Sequence, residues 1–391
     1  MRRRSDEARP PAALSNPKIR SAVYQVLLIA AVVWLVVQIV LNARANLGTR
    51  VSGFDFLWQS AGFGINQTLI PYDESSTYAR VFLVGLLNTL LVAVLGIVFA
   101  TLLGFAVGIG RLSSNWLVAR IAGGYVELIR NLPLLFQILF WYLAVLSVLP
   151  LPRQAISFFG VMFLSIRGLQ VPMLQPSEGM IYVAAAFAFG VVATIAEGIR
   201  LKRLRERTGR QVSLTWRALV LMGGLPLLVF VAAGAPLKLD VPRLEGFNFT
   251  GGVRMRPELL ALLVSLTTYT AAFIAEVVRA GILGVPRGQI EAASALGLRR
   301  AQILRLVLIP QALRIIVPPL TNQYLNLTKN TSLGISIGYP DLFAVFAGTA
   351  ANQTSQPIEI IGITMVVYLT LSLATSLLMN WYNARVRLTE R

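Results

Sequence analysis

The 391-residue chain contains neither cysteine nor histidine. That double absence removes disulfides, thiolate chemistry, histidine haem ligation and the usual zinc ligand sets. A Ser/His or Cys/His catalytic pair is likewise out of reach. Charge is scarce too, at 13% of residues, and acid is scarcer than base: 17 Asp and Glu stand against 35 Lys and Arg, a net charge of +18. Nucleic-acid binding would need a basic stripe on a soluble domain with groove-reading or stacking elements, and no such domain is legible. Also missing is a phosphate loop of the Gly-x-x-x-x-Gly-Lys-Ser/Thr type, so the sequence carries no nucleotide-hydrolysing site of that kind.

What is present is apolar sequence. Hydrophobic residues make up 56% of the chain, more apolar surface than one or two soluble cores hide. Windows of about 20 residues with almost no charge recur, each long enough to cross a hydrocarbon core roughly 30 Å thick. Eight are countable, at about 22–42, 81–110, 121–149, 181–199, 218–235, 258–284, 311–330 and 357–382. The expected fold class is therefore all-α, a polytopic helical membrane protein. The first run follows a basic tail but is longer than the ~7–15 residues of a secretory signal core, which favours a retained anchor over a cleaved leader. Pro318 and Pro319 interrupt the seventh run, and its end, Asn326-Leu-Thr-Lys-Asn-Thr-Ser332, is too polar to face lipid.

Lys and Arg mark the cytoplasmic side of short loops. An even number of spans puts both termini on one side, and with both inside the cytoplasmic segments hold 23 basic residues against nine opposite. The inner clusters are the tail to Arg20, Arg111 with Arg120, Arg200 to Arg217, Arg287 to Arg314, and the stretch from Arg385. The Arg200 to Arg217 run reads as a solvated topology marker, with contact to anionic lipid or a partner as the alternative. Two long outer loops, Ala43 to Arg80 and Leu151 to Met180, show no recognisable domain.

An unpaired ionised side chain at the bilayer centre costs at least ~2.5–3.5 kcal/mol, so charges inside the spans have to be paired or functional. Glu127 with Arg130, and Glu276 with Arg279, stand three apart and share a helix face. Each reads either as an ion pair locking a helix end or as part of a substrate path or gate. Lys329 sits among Asn326, Thr328, Asn330, Thr331 and Ser332 behind a proline-weakened helix, where unwound backbone and polar side chains line an aqueous path or serve structural polar packing. Gly104 and Gly108 form a small-xxx-small pair suited to helix packing.

The stretch Gly288-Gln-Ile-Glu-Ala-Ala-Ser-Ala-Leu-Gly297, followed by Leu-Arg-Arg-Ala-Gln-Ile-Leu-Arg-Leu-Val-Leu-Ile-Pro310, sits on the cytoplasmic side. Gly297 stops a helix and Pro310 does not continue one, so the spacing predicts two short helices meeting at an angle. Ala292, Ala293 and Ala295 around Glu291 make a compact knob, and Arg299, Arg300 and Arg305 keep it out of the bilayer core.

The spacing Glu-Ala-Ala, three residues, Gly, nine residues, then Val307-Leu-Ile-Pro310 resembles the EAA loop of the permeases of ATP-binding-cassette (ABC) importers. The resemblance extends to the polar amino-acid branch, histidine/glutamine permease-like, through Gly85-Leu-Leu-Asn-Thr-Leu90, Tyr125-Val-Glu-Leu-Ile-Arg-Asn-Leu-Pro133, Tyr269 to Gly281 and Lys329-Asn-Thr-Ser-Leu333. With Phe54-Asp-Phe-Leu57, Ala61-Gly-Phe-Gly64 and an insertion beyond the compact core, the chain looks like the larger permease subunit of general L-amino-acid importers, including those for glutamate, glutamine, aspartate and asparagine. Asn330 departs from the family's Lys-Asp-Thr-Ser-Leu.

The resemblance implies about eight transmembrane helices around a five-helix core. Residues 1–80 would form tail, anchor and outer loop, 81–150 and 258–391 the two parts of the core, and 151–257 the insertion. It implies a non-enzymatic subunit in a bacterial inner membrane, binding no cofactor itself. ATP and magnesium would sit on ATPase partners docked on Gly288, Glu291, Ala292, Ala293, Gly297, Arg299, Arg300 and Pro310. The other implied partners are a second, related permease, a periplasmic amino-acid-binding protein and the substrate. An ion-gradient-driven secondary transporter and a non-transporting scaffold are the other classes open to such a chain; the first does not account for the Glu291 loop, and the second predicts no polar broken helix.

Overall fold

The computed structural model describes residues 53–208, 215–354 and 356–386, with scattered helical positions between Val23 and Leu41. The first expected span, 22–42, thus lies largely outside the described residues, in a unit (Met1–Asp55) separate from the rest. Along the second unit, Phe56–Arg391, run α1 (Tyr78–Gly110), the bent pair α2 (Trp116–Asn131) and α3 (Leu134–Leu146), and α4 (Met180–Thr208). There follow α5 (Trp216–Ala232), α6 (Pro257–Leu283), the short α7 (Arg287–Ala295), α8 (Arg300–Ile337), α9 (Phe343–Ala350, continued by Ala351–Thr354) and α10 (Pro357–Val386). Helices α1, α4, α6, α8 and α10 are long and apolar enough to cross a membrane, and α5 is apolar but shorter. Among the described residues that makes five spans, or six if the bent pair is one, where eight were expected along the whole chain.

The run expected as one helix over 121–149 is broken by 107° between α2 and α3. Pro133 is the cause: the residue before a proline is pushed out of the α region, and Leu132 sits at φ −97°, ψ 129°. Gln137 repairs the break by donating from Nε2 to the Ile129 and Leu132 carbonyls, 3.0 Å each.

The core forms where α1, α6 and α8 cross. At Gly104 an added Cβ would stand 2.6 Å from Ile274 Cβ, and at Gly108 2.8 Å from Val278 Cβ. Both glycines therefore exist to let α1 lie parallel against α6 at backbone range. Helix α8 runs antiparallel to α6, with Ile316 over Gly281 at one end and Leu262 over Gly334 at the other.

Two sequence expectations about α8 need correction. Pro318 and Pro319 do not interrupt it, because the helix is continuous over Ile309–Asn330 and neighbouring helices support a proline-containing segment. Pro310 does not end a short helix either: a π turn at Leu304–Leu308 precedes it, and the wider turn accommodates the ring and its missing N–H. The irregularity comes later, where the chain tightens into a 3₁₀ turn at Thr331–Ile337 and stops at left-handed Gly338.

The outer segments are not structureless. Strands β1 (Ile156–Phe158), β2 (Met162–Ser165), β3 (Gly168–Val171) and β4 (Met173–Pro176) precede the α4–α5 hairpin. Strands β5 (Leu237–Asp240), β6 (Arg243–Glu245), β7 (Asn248–Thr250) and β8 (Val253–Met255) follow it. They pair across it into a sheet ordered β1-β2-β3-β8 and the ribbons β4-β5 and β6-β7. This cap sits at the N-terminal end of α6, and α7 hangs from the other end. The 27 residues of α6 separate them by about 40 Å at 1.5 Å per residue.

Candidate functional site

Helix α7 is built as a rigid elbow between α6 and α8. Gly297, at φ +75°, ends it in a left-handed turn. The turn is closed by the Leu298 N–H on the Ala293 carbonyl (3.3 Å) and the Gly297 N–H on the Ser294 carbonyl (2.9 Å). Arg299 N–H donates to Gln302 Oε1 at 2.9 Å, so α8 starts at once. Gly288, Glu291, Ala292, Gly297, Arg299 and Arg300 come together on this exposed knob, with Ala293 buried as its anchor. Pro310 belongs to α8 and not to the knob. Leu296, which sequence reasoning passed over, is 82% exposed beside Glu291's helix.

Glu276 and Arg279 do pair, Oε1 to Nη2 at 2.6 Å, but not alone. Arg111, just past the end of α1, reaches the other carboxylate oxygen, Oε2, so one acid on α6 holds two guanidinium groups and ties the two helix ends together. Nothing in the local sequence names Arg111, 165 residues away. The expected Glu127–Arg130 ion pair is not formed. Both side chains are exposed on α2, and Arg130 instead places its Cζ 5.1 Å from the Phe273 ring centre.

The polar residues around Lys329 divide in two. Thr328 and Thr331 are buried and turn their hydroxyls to the Tyr324 and Thr328 carbonyls, both at 2.9 Å. Asn326 is exposed and Asn330 half-buried. Lys329 and Ser332 instead line a cavity of about 410 Å³ with Thr364, Tyr368 and Ser372 from α10 and an apolar floor that includes Phe343 and Met365. No carboxylate is within ion-pair reach of Lys329 among the described residues. Glu276 lies elsewhere, near the α7 end, so the residues suggested by sequence for a path or gate occupy two separate places.

Behind that cavity is a residue the sequence did not flag. Asp341 is fully buried between α8 and α9, accepting from the Ala344 N–H at 2.9 Å and the Tyr368 hydroxyl at 3.1 Å. Asn88 and Thr89 of α1 fasten the same turn, through Asn88 Nδ2 to the Pro340 carbonyl and the Leu342 N–H to Thr89 Oγ1. Asn88 also donates to the Gln67 carbonyl. That contact holds the loop ahead of α1 as one wall of a second cavity, about 660 Å³, lined by Phe63, Asn66, Thr349, Asn352 and Gln353. None of these lining residues is ionisable.

Residues 186–388 match the family described as binding-protein-dependent transport system inner membrane component. The general L-amino acid transport system permease protein AapQ of Rhizobium johnstonii is 52% identical, over 97% of this chain and 95% of AapQ. The chain belongs to this family. A second relative, the glutamate/glutamine/aspartate/asparagine transport system permease protein BztB of Rhodobacter capsulatus, is 40% identical over 96% of each chain. This permease is accordingly a multi-pass inner-membrane protein, and its family works with ATPase and binding-protein partners. Its mostly helical fold suits that role, and its α7 elbow stands where the sequence resemblance puts the coupling loop.

Proposed function

We propose that this permease is the membrane-spanning, non-hydrolytic subunit of an ABC importer that carries amino acids from periplasm to cytoplasm. Helix α7 docks in the ATPase subunit, which binds the ATP and magnesium. The observation that carries the reading is the knob itself: Glu291 and Leu296 exposed on a rigid elbow between two long apolar helices. A second, related permease chain completes the path. Lys329 supports that partner, because it stands exposed among the exposed apolar residues Phe343, Ile361, Met365 and Leu369. A face with an unpaired ammonium is unfavourable against lipid and suits a water-filled interface between subunits. Reconstitution with the native ATPase and binding protein tests the proposal: amino-acid uptake should require ATP and all three proteins. Uptake driven by an ion gradient without ATP would place the chain among secondary transporters.

Both termini and the 200–217 loop face the cytoplasm in this reading, with the strand-built cap outside. A cysteine introduced at Ser177 should react with an impermeant thiol reagent in intact spheroplasts, and one at Ser213 only after lysis. The reverse pattern inverts the topology.

A further inference from the structure

We infer that the cap formed by residues 150–177 and 236–256 is the docking surface for the substrate-delivering binding protein, and that it takes an acidic patch on that partner. The inference rests on the importer reading above, with the cap on the periplasmic side.

The cap is a built object rather than slack chain. Strand β3 pairs with β8 (Leu169 opposite Met255) and β4 with β5 (Met173 opposite Asp240), each across the whole α4–α5 hairpin. Phe163 stacks on Phe249 at 4.7 Å between ring centres. Gly168 seals the β3–β8 seam, since its φ is +103° and an added Cβ would stand 2.1 Å from the Met255 carbonyl oxygen.

Its surface carries features that its own folding does not explain. The β1–β2 turn has Phe159 at φ 54° and Gly160 at φ 70°, closed by the Val161 N–H on the Phe158 carbonyl at 3.2 Å. A turn with two left-handed residues favours Asn or Asp before Gly, and a bulky ring there is strained. Yet Phe159 is 97% exposed, so no contact with the other described residues holds the ring in place. Strain kept at a fully displayed aromatic points to recognition. On the β6–β7 turn Phe247 is 71% exposed with Arg153 stacked over it at 4.0 Å, the side-chain types that dominate binding energy at protein interfaces.

The charge agrees. Arg167, Lys238, Arg243 and Arg254 are exposed, and none takes part in an ion pair among the described residues. Of the cap's two acids, Asp240 is turned inward, accepting from Gln175 Nε2 and the Gly252 N–H, both at 2.9 Å, and Glu245 beside Arg243 is exposed, so base still outnumbers acid on this surface. Base on the outer side runs against the bias that orients membrane helices, so topology does not account for it. A soluble partner with an acidic face does, because opposite fields steer the encounter.

The test uses the complete transporter in nanodiscs, titrated with its binding protein, with stimulated ATP hydrolysis and association rate as readouts. Phe159→Asn should leave the cap as stable or more so by hydrogen exchange, since Asn suits the turn, while the half-saturating binding-protein concentration rises about tenfold, as for loss of one anchoring side chain. Lys238→Glu combined with Arg243→Glu should slow association about tenfold at low salt and converge on wild type near 1 M salt. Basal hydrolysis should be unchanged in both. Wild-type half-saturation in both variants overturns the inference, as does loss of permease assembly. A Phe159→Asn effect that disappears in detergent also overturns it, assigning the tip to lipid. If the wild-type complex itself ignores the binding protein, the importer reading fails instead.

Discussion

Reversing one charge on the α7 knob, Glu291→Lys, is expected to abolish ATP-driven uptake while the chain still inserts and folds. The side chain is exposed and makes no ion pair with another described residue, so its loss removes nothing from the permease's own fold. Seated in a partner's cleft, the same reversal puts an ammonium where a carboxylate was accommodated, and such changes weaken docking by roughly 30-fold or more. Gly297→Asp should act alike for a different reason. Nothing lies within 4 Å of an added Cβ there, and Asp tolerates a left-handed φ of +75° better than most residues, so the turn survives. What changes is the elbow's surface, which gains bulk and charge. Both variants should appear in the membrane at wild-type level by immunoblot, show little recruitment of the ATPase, and transport nothing above background. Normal recruitment with normal uptake in both would remove α7 as the coupling surface.

The parts of this structure that sequence reasoning reached are those whose cause is local. A window such as 258–284 is apolar throughout and needs only a bilayer to be a helix; Gly104 and Gly108 advertise close packing by their spacing, and Gly297 advertises a stop. What stayed hidden depends on residues far apart. Arg111 completes the Glu276 cluster from 165 positions away. The cap was read as loop because its strands are three or four residues long and β3 meets β8 only after two intervening helices, so no hairpin turn announces the pairing. Asp341 is one acid in a short turn, and only its burial under Tyr368 makes it notable. The errors have the same origin. Pro318 and Pro319 looked disruptive because the sequence does not show that α6 and α10 support α8. Glu127 and Arg130 looked paired because spacing says which groups share a face, but not that Phe273 competes for the guanidinium.

Replacing Lys329 by methionine is expected to reduce transport sharply while sparing assembly and substrate-independent ATP hydrolysis. The cost of an unpaired ammonium in hydrocarbon is at least ~2.5–3.5 kcal/mol. Asn330 supplies no acid beside it, and Asp341 is committed to Tyr368 and the Ala344 N–H. Water in the 410 Å³ cavity is then the remaining stabiliser, and the hydroxyls of Ser332, Thr364 and Ser372 on its wall keep such a space wet. A substrate carboxylate entering it would meet one cation, while the Ser332, Thr364 and Tyr368 hydroxyls already donate to the Lys329 carbonyl, the Ile360 carbonyl and Asp341, an arrangement suited to transient holding rather than tight binding. Methionine keeps most of the length and packing, so a merely structural lysine would reveal itself by unchanged uptake or by lower complex yield. A lysine on the path would lower uptake alone, about tenfold or more if one charge-assisted hydrogen bond of roughly 1.5–3 kcal/mol is lost as the substrate passes. A cysteine introduced at Ser332 supplies the independent readout, because its reactivity toward a soluble thiol reagent should differ between the resting and nucleotide-trapped complexes if the cavity opens and closes during the cycle. Equal reactivity in both states, together with full uptake by Lys329→Met, would take this cavity out of the pathway and leave the ammonium as a wet but passive feature of the subunit interface.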